Sequence, residues 1–252
     1  MIGKMSRKIV VAIEKGGTAK TKTAIELAAA LHKQGSRVLL IDLDPQADAT
    51  KSLGFNPGDL AFNINQLFTR RDVEPEQVVL TTSWGIDLLP SHRDLRTTEA
   101  GMKHTQVGLL RSILVPLEPR YDHIVIDTPH SGAYLPILAL AVATDVVIPM
   151  QPHYEAFEKI PELLLQVEQI RLGLNPDIRV DGILPVLVHP RNSVDRAILD
   201  QVKETYPNLL YPMRVDWSTK YAQATLSAEP IVVSEPSHPG SEAYMKLAER
   251  FR

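Results

Sequence analysis

The chain has 252 residues, 44% of them hydrophobic, so it can bury a full core, and its formal net charge of −3 argues against a generally basic nucleic-acid-coating protein. It contains no cysteine, which excludes disulfides, iron–sulfur clusters and thiolate zinc sites. The longest apolar run, residues 135–143, is far shorter than the roughly 20 residues that span a bilayer. Since the amino terminus also lacks a signal-peptide pattern, we expect a cytoplasmic protein without stable membrane insertion.

Apolar, β-rich runs alternate along the chain with helical patterns, and the first run, residues 9–13, is continuously apolar as in a strand covered on both faces. This rhythm predicts an α/β fold: one doubly wound, mostly parallel sheet flanked by helices, in a single domain over residues 1–252. We expect residues 47–81, which are polar and rich in turn formers, to form surface helices and loops. The other predicted elements are strand 8–14, helix 20–34, strands 37–43 and 85–89, helix 108–117, strand 123–127, helix 135–143, strand 145–150, helix 155–172, strand 182–188 and helices 193–205, 218–227 and 241–251.

A glycine-containing loop separates the first predicted strand from the first predicted helix, which is the context that a phosphate-binding loop requires. There, backbone N–H groups and the helix N-terminus attract phosphate oxygens, Lys20 would neutralise the β- and γ-phosphates, and the Thr21 hydroxyl would ligate Mg²⁺. The pattern G-x-x-x-x-G-K-[ST] is not met literally, because Glu14 and Ala19 stand at its glycine positions. Taken alone, the segment also fits an ordinary strand–helix turn with an exposed lysine. The loop reads Lys15, Gly16, Gly17, Thr18, Ala19, Lys20, Thr21.

Aspartates end two of the other predicted strands. Asp42 and Asp44 follow the second strand, where carboxylates can hold the waters of Mg²⁺ or orient an attacking water. Asp127 ends the strand 123–127 in the manner of a Walker B segment. Taken alone, Asp42 and Asp44 are more often turn formers and caps, and Asp127 is a weak signal because many parallel strands end in aspartate. Because ligands bind at the carboxyl ends of parallel strands, the three signals together predict a nucleotide site there.

These motifs resemble those of the ParA/MinD family of deviant Walker-type P-loop ATPases, and within it the ParA-like partition and positioning branch. The resemblance covers essentially the whole chain. The family's K-G-G-x-G-K-[ST], I-D-x-D-P-Q and Y-D-x-I-I-I-D-T-P-P-S motifs correspond here to KGGTAKT, IDLDPQ and YDHIVIDTPHS. Its V-I-P-V-Q-P-E segment corresponds to VIPMQPH, and its carboxyl-terminal motifs correspond to QATLSAEPI and GSEAYMKLA.

The resemblance implies ATP and Mg²⁺ as cofactors and assigns roles to individual residues. Lys15 is similar to the signature lysine, which reaches the nucleotide of a second copy in an ATP-bound sandwich dimer. The residues alone favour a solvated loop charge instead. Lys20 corresponds to the phosphate lysine, Thr21 to the Mg²⁺ ligand, and Asp44 to the residue that positions the attacking water. Asp42 and Asp127 would support Mg²⁺ through water. The implied nucleotide contacts are Lys15, Gly16, Gly17, Thr18, Ala19, Lys20, Thr21, Lys22 and, for the base, Pro212, with His189 nearby.

Four positions depart from the family pattern. Ala19 replaces a glycine, and its Cβ would cost about 1 kcal/mol if φ is positive there. Lys22 stands where the family has Thr or Ser, His130 replaces a proline, and Gln223 replaces a glutamate. We therefore expect a divergent member with slow hydrolysis.

The resemblance further implies non-specific DNA binding by the ATP dimer, association with the nucleoid, and a ParB-like or cargo-adaptor protein that stimulates hydrolysis. Two alternatives are a membrane-associated MinD-like ATPase, disfavoured because no amphipathic helix follows the last predicted one, and a metabolic P-loop ligase, disfavoured because those relatives lack the signature lysine. The cargo could be a plasmid, a chromosome or a protein assembly. Five basic residues late in the chain are candidates for DNA binding, although they could equally be ordinary solvated charges: Arg191, Arg196, Lys203, Arg214 and Lys220. Arg214 and Lys220, which have aromatic neighbours in the sequence, are the better candidates.

Overall fold

The computed structural model describes residues 6–130 and 134–252 of the chain. Its strands are β1 (Arg7–Val11), β2 (Val38–Asp42), β3 (Leu80–Thr81), β4 (Asp87–Leu89), β5 (His123–Asp127), β6 (Asp145–Met150) and β7 (Arg179–Pro185). Across the described residues they form a seven-stranded sheet in the order β3-β4-β2-β5-β1-β6-β7. Every pairing is parallel except that of β3 with β4. The predicted doubly wound, mostly parallel sheet is confirmed.

Helices follow most of the strands and cover both faces of the sheet, and short 3₁₀ segments lie at Pro57–Asp59, His104–Gln106 and Glu118–Arg120. Within the described part of the chain, no helix is both long enough and apolar enough to cross a membrane. The helices are α1 (Lys20–Lys33), α2 (Asp48–Ser52), α3 (Ile64–Thr69), α4 (Pro75–Val78), α5 (Leu95–Ala100), α6 (Leu109–Leu114), α7 (Leu135–Val142), α8 (Tyr154–Gly173), α9 (Ser193–Thr205), α10 (Lys220–Ser227), α11 (Ile231–Ser234) and α12 (Pro239–Glu249).

The central strands are buried on both faces, which explains their continuous apolar sequences. In β5, Ile124 and Ile126 pack into one hydrophobic cluster and Val125 packs into the other. The first cluster also contains residues of α7 and α8, such as Ile160, and the second contains residues of α1 and α12, such as Leu27. Burial on both sides holds the carboxyl ends of β1, β2 and β5 side by side.

Two strand boundaries differ from the prediction. β1 ends at Val11 rather than at residue 14, although the chain stays buried through Ile13. The strand predicted at 182–188 is β7, which begins three residues earlier and ends at Pro185. Its register with β6 explains the early start, and the left-handed backbone of Leu187, with φ of 53°, interrupts the extended chain after it.

The segment 47–81 contributes more to the core than predicted. It contains α2, α3 and α4, as expected for short helices joined by loops. However, Ile64, Leu67, Val73 and Val78 are buried in the first hydrophobic cluster. The prediction of a purely surface segment is wrong, because a few apolar side chains in a polar stretch suffice to attach it to the sheet.

The open side of β7 is bonded to a later part of the chain. Segment 209–217 runs beside it and forms isolated parallel bridges. The amide of Tyr211 donates to the carbonyl of Ile183 over 3.0 Å, and the amide of Val215 donates to the carbonyl of Pro185 over 2.8 Å. This segment therefore covers one edge of the sheet.

Candidate nucleotide site

The predicted phosphate-binding loop lies between β1 and α1, at the carboxyl edge of the sheet. The carbonyl of Lys15 accepts hydrogen bonds from Lys20 Nζ over 2.9 Å and from Thr18 Oγ1 over 3.1 Å. α1 starts after Ala19, whose side chain provides no cap. The amide groups in the first turn of a helix have no acceptor within the helix, so the start of α1 can accept an anion.

Ala19 has the backbone strain that its sequence position implied. Its φ of 55° and ψ of 30° are left-handed, and Gly17 is also left-handed with φ of 77°. A Cβ in this region costs about 1 kcal/mol relative to glycine. Since φ is positive at Ala19, the strain that the sequence predicted for this case is present.

Asp127 is buried at the end of β5, directly opposite Asp42 at the end of β2. Among the described residues, neither oxygen of the Asp127 carboxylate has a partner at hydrogen-bond geometry, although the nearby Thr21 hydroxyl acts to lower its pKa. Burial, together with the charge of Asp42, raises the pKa of Asp127 well above its usual range. A buried carboxylate without a donor is costly unless a ligand satisfies it.

Asp42, in contrast, is bonded to its own protein. Its Oδ1 accepts from the amide of Asp44 over 3.1 Å, and its Oδ2 accepts from Thr50 N over 2.8 Å and Thr50 Oγ1 over 2.6 Å. Burial nevertheless raises the pKa of Asp42 to about 7. The carbonyl of Asp44 accepts from Ser91 Oγ over 2.7 Å. Asp42 therefore holds the loop that presents Asp44.

The residues at this edge fit a magnesium ion bound with a phosphate. Burial lowers the pKa of Lys20, while the charges of Asp127 and Asp44 act in the opposite direction. The unpartnered carboxylate of Asp127 and the hydroxyl of Thr21 are oxygen donors of the kind that Mg²⁺ prefers. Within residues 6–130 and 134–252, no three His, Asp or Glu side chains form a complete metal cage.

The chain is similar in sequence to a known family of domains and to known proteins. A family model described as an AAA domain matches residues 6–180. The sporulation initiation inhibitor protein Soj of Bacillus subtilis is 31% identical over 97% of this chain and 98% of its own length. The chromosome-partitioning ATPase Soj of Thermus thermophilus is 33% identical over 96% of this chain and 94% of its own. The chain belongs to the ParA/MinD family of P-loop ATPases.

A solved structure supports the same fold assignment. The crystal structure of cobyrinic acid a,c-diamide synthase from Mycobacterium smegmatis superposes with a TM-score of 0.84 and 31% identity, over 97% of this chain and 93% of that protein. That structure contains ADP and magnesium, and a second structure of the same enzyme contains an ATP analogue and magnesium. The predicted cofactors of the present ParA/MinD family member agree with these ligands.

Lys15, predicted as the signature lysine of the family, extends toward α8. Its ammonium group contacts the carboxylate of Glu155, in the first turn of that helix. The two side chains are 36% and 70% exposed, so the pair lies at the surface. Lys15 and Lys20 thus leave the same loop for different surroundings, one exposed and one buried.

A cavity of about 540 Å³ opens beside the phosphate-binding loop. Ala19, Thr21 and Lys22 contribute to its wall on one side, and Leu187 and Tyr221 contribute on the other. Sequence reasoning missed Leu187 and Tyr221, although the aromatic character of Tyr221 was visible. The cavity has the size for the nucleoside part of a nucleotide whose phosphates lie at the loop.

The residues predicted to hold the base lie elsewhere. Pro212 is exposed and, among the described residues, does not line this cavity. The ring of His189 stacks on Trp217 with centroids 5.5 Å apart. Their contact with adenine stays a prediction. Of the third motif, Ser131 lies outside the described residues, whereas His130 is exposed and its ring lies beside Gly16.

The five predicted DNA-binding residues differ in their surroundings. Arg214 pairs with Asp216 over 2.8 Å, and Lys220 pairs with Glu235 over 2.5 Å. The other three are exposed and form no ion pair within the described parts of the chain: Arg191, Arg196 and Lys203. A role in DNA binding stays a prediction for all five.

Proposed function

We propose that this family member is a ParA-like ATPase that binds ATP and Mg²⁺, dimerises around the nucleotide, associates with DNA and positions or segregates a cargo. The buried, unpartnered carboxylate of Asp127 beside the open N-terminus of α1 is the observation that supports this most strongly. The carboxylate lacks a donor, and the helix N-terminus lacks an anion. A nucleotide bound with Mg²⁺ would supply the metal to the carboxylate and the phosphate to the helix.

Each residue at the edge then has a defined task. The free amide groups of α1 and the ammonium of Lys20 bind phosphate oxygens, and Lys20 gives up the carbonyl of Lys15 to do so. Thr21 and Asp127 would hold Mg²⁺, which neutralises charge on the transferred phosphoryl group when bound. Asp44 orients the attacking water, and Asp42 positions Asp44 through its amide.

Nucleotide binding is tested by Lys20→Ala. Loss of its charge should weaken ATP binding at least about 100-fold, because a buried cation in direct contact with phosphate is removed. Isothermal titration with Mg²⁺–ATP measures this. Tight ATP binding by the variant would contradict the P-loop assignment.

Dimerisation is tested by Asp44→Ala. Loss of the residue that orients water should leave ATP uncleaved, so an ATP-bound dimer accumulates. Size-exclusion chromatography with ATP and Mg²⁺ should show a dimer for Asp44→Ala and monomer for the double variant that also carries Lys15→Ala. If Asp44→Ala alone elutes as a monomer at saturating ATP, the sandwich mechanism fails.

We further propose that the ATP form binds DNA without sequence preference, which would place the cytoplasmic protein on the nucleoid, and that a ParB-like or cargo-adaptor protein stimulates it. Arg191→Glu with Arg196→Glu should weaken binding to random-sequence DNA and flatten its salt dependence, because both side chains are exposed and have no acidic partner among the described residues. Arg214→Glu should have less effect, because Arg214 already pairs with Asp216. An unchanged salt-dependent curve for the double variant would assign DNA binding to another surface.

The second candidate is a metabolic ligase, favoured by the 31% identity to cobyrinic acid a,c-diamide synthase. Lys15 discriminates between the two. In a dimer-dependent ATPase, Lys15→Ala should keep ATP binding and lose hydrolysis. In an enzyme that does not use this lysine, hydrolysis coupled to its own substrate would persist.

A further inference from the structure

Ser91 lies in the loop that follows β4, beside the loop that follows β2. The two strands pair in parallel, with Ile41 opposite Leu89, so the loops at their carboxyl ends start side by side. Ser91 is fully buried, and its hydroxyl donates to the carbonyl of Asp44 over 2.7 Å. A side chain of one loop thus holds the backbone of the residue that we propose to orient the attacking water.

The carbonyl of Asp44 has a hydrogen-bond donor even without Ser91. It also accepts from the amide of Ala47 over 2.8 Å, which closes the turn that leads into α2. A carbonyl oxygen has two lone pairs, so the Ser91 hydroxyl occupies the second. Ala47 is left-handed with φ of 54°, a conformation that persists only when the surrounding contacts fix it. The Ser91 hydroxyl is therefore best explained as a contact that fixes this turn.

The backbone of Ser91 is anchored to the same turn. Its amide donates to Thr50 Oγ1 over 3.0 Å, and that hydroxyl donates to Asp42 Oδ2 over 2.6 Å. Asp42 Oδ1 accepts from the amide of Asp44 over 3.1 Å. Asp44 is thus held at its amide by Asp42 and at its carbonyl by Ser91. A change of the Ser91 side chain removes only the contact at the carbonyl, because the amide of residue 91 remains.

We propose that Ser91 is a positioning residue for ATP hydrolysis, which acts by fixing the backbone of Asp44. The proposal rests on the role proposed above for Asp44. The orientation of a reacting group matters strongly, since a misplacement of about 1 Å can lower a rate by a factor of about 100. Because Ser91 acts through the backbone of Asp44, its loss slows hydrolysis without weakening the binding of ATP.

The first test separates hydrolysis from binding. Ser91→Ala should lower kcat about tenfold, which is less than the loss in Asp44→Ala because the carboxylate is still present. The Kd of Mg²⁺–ATP should stay within about twofold of that of the unmodified protein, since no phosphate contact is removed. Ser91→Thr keeps the hydroxyl and should retain most of kcat. Phosphate release at saturating Mg²⁺–ATP measures kcat, and isothermal titration measures Kd.

The second test needs no nucleotide. In the ligand-free protein, hydrogen exchange followed by mass spectrometry should show faster exchange over residues 43–48 in Ser91→Ala, because the turn into α2 loses one of its hydrogen bonds. Ser241→Ala is the matched control. Ser241 is also fully buried, and its hydroxyl donates to the carbonyl of Glu235 over 2.7 Å, but it lies in α12. Ser241→Ala should keep both kcat and the exchange of residues 43–48.

Two results for Ser91→Ala would overturn the proposal: an unchanged kcat, or unchanged exchange over residues 43–48. A loss of kcat accompanied by an equal loss of ATP affinity would also overturn it, since Ser91 would then act on binding. If the unmodified protein hydrolyses no ATP, or if Asp44→Ala keeps its kcat, the proposed function itself fails. The exchange measurement would still report the contact between Ser91 and Asp44 in that case.

Discussion

The sheet buries aspartates at both ends of its strands, and two of them, Asp145 and Asp127, have opposite surroundings. Asp145, at the amino edge in β6, accepts from Arg7 Nε over 2.8 Å and from Arg179 Nε over 2.7 Å. Burial tends to raise the pKa of Asp145, but the hydrogen bonds from Arg7, Thr144 and Arg179 outweigh it and lower the pKa. Asp127, at the carboxyl edge in β5, has no hydrogen-bond partner among the described residues, and its pKa is raised.

The different surroundings of Asp145 and Asp127 indicate that Asp145 has a structural role and Asp127 a functional one. Both carboxylates lose their water on folding, and the protein replaces that water only at the amino edge. An unsatisfied buried group in a native fold calls for a reason such as an ion or a catalytic role. Asp127 has such a reason if Mg²⁺ and phosphate complete its surroundings.

The largest expected effect is that of Asp145→Ala, which should lower the free energy of unfolding by about 3 kcal/mol at neutral pH, because charge-assisted hydrogen bonds to two arginines are lost. The folded pKa of Asp145 is depressed, so its stabilisation is present above the unfolded-state value of about 4 and is lost as pH falls below it. Urea unfolding at pH 7 and pH 3.5 should therefore show a smaller effect at the lower pH. Asp72→Ala, which breaks the exposed pair with Arg70, is the control and should be without measurable effect.

Asp127→Asn should raise the free energy of unfolding of the ligand-free protein, opposite to the effect of Asp145→Ala. Removal of an unsatisfied buried charge should stabilise the ligand-free protein by about 1–3 kcal/mol, since the amide costs less to bury. The same variant should lose the Mg²⁺-dependent part of the stabilisation by ATP. Thermal unfolding with and without Mg²⁺–ATP measures both. A destabilised ligand-free variant would mean that the two edges do not differ in the way described.

Ala19→Gly tests whether backbone strain also destabilises the carboxyl edge of the sheet. Removing the Cβ from this left-handed backbone should stabilise the protein by about 1 kcal/mol. The greater conformational entropy of glycine in the unfolded chain offsets part of this gain. Ala228→Gly is a matched control, because Ala228 has the same φ of 55° at the end of α10. Denaturant midpoints that rise for Ala228→Gly but fall for Ala19→Gly would show that Ala19 makes loop contacts that outweigh its strain.

Glu155→Gln should have the smallest effect. It removes the surface partner of Lys15, which we expect to raise the ATP-dependent dimer fraction by no more than about threefold, because exposed ion pairs contribute little. Sedimentation velocity at subsaturating ATP measures this. Glu162→Gln, which breaks the exposed pair with Lys159 on the same helix, should leave the dimer fraction unchanged. A lower dimer fraction for Glu155→Gln would assign Glu155 to the interface itself.

Much of this architecture could be predicted from the sequence because its strands are apolar runs with polar ends. The bounds of β5, β6 and α9 were predicted correctly. The start of β7 was not, because Arg179 is polar and belongs there through its pairing with the distant Asp145. Segment 47–81 was misjudged for a similar reason, since its burial depends on contacts with the sheet.

In the candidate site, too, some residues could be predicted from local sequence and others depend on tertiary packing. Lys20 and Asp127 are identified by local motifs, and the structure places them at one edge of the sheet. Tyr221 was missed because its part of the cavity wall forms only when α10 packs near α1, about 200 residues away in the chain. Leu187 was missed because it reaches the cavity from the segment after β7, which is also distant from α1 in the chain. The unsatisfied state of Asp127 was likewise invisible, since it depends on which donors fail to reach it.

Segment 209–217, which runs beside β7, affects how two copies of the chain can meet. An open strand edge offers unpaired amides and carbonyls on which another sheet can grow. Here part of that edge is already hydrogen-bonded to the same chain, through Tyr211 and Val215. At the opposite edge, β3 has just two residues and so gives little length for such growth. Continuation of the sheet from one molecule into the next is therefore disfavoured, which leaves side-chain surfaces, such as the one bearing Lys15, to form any specific dimer.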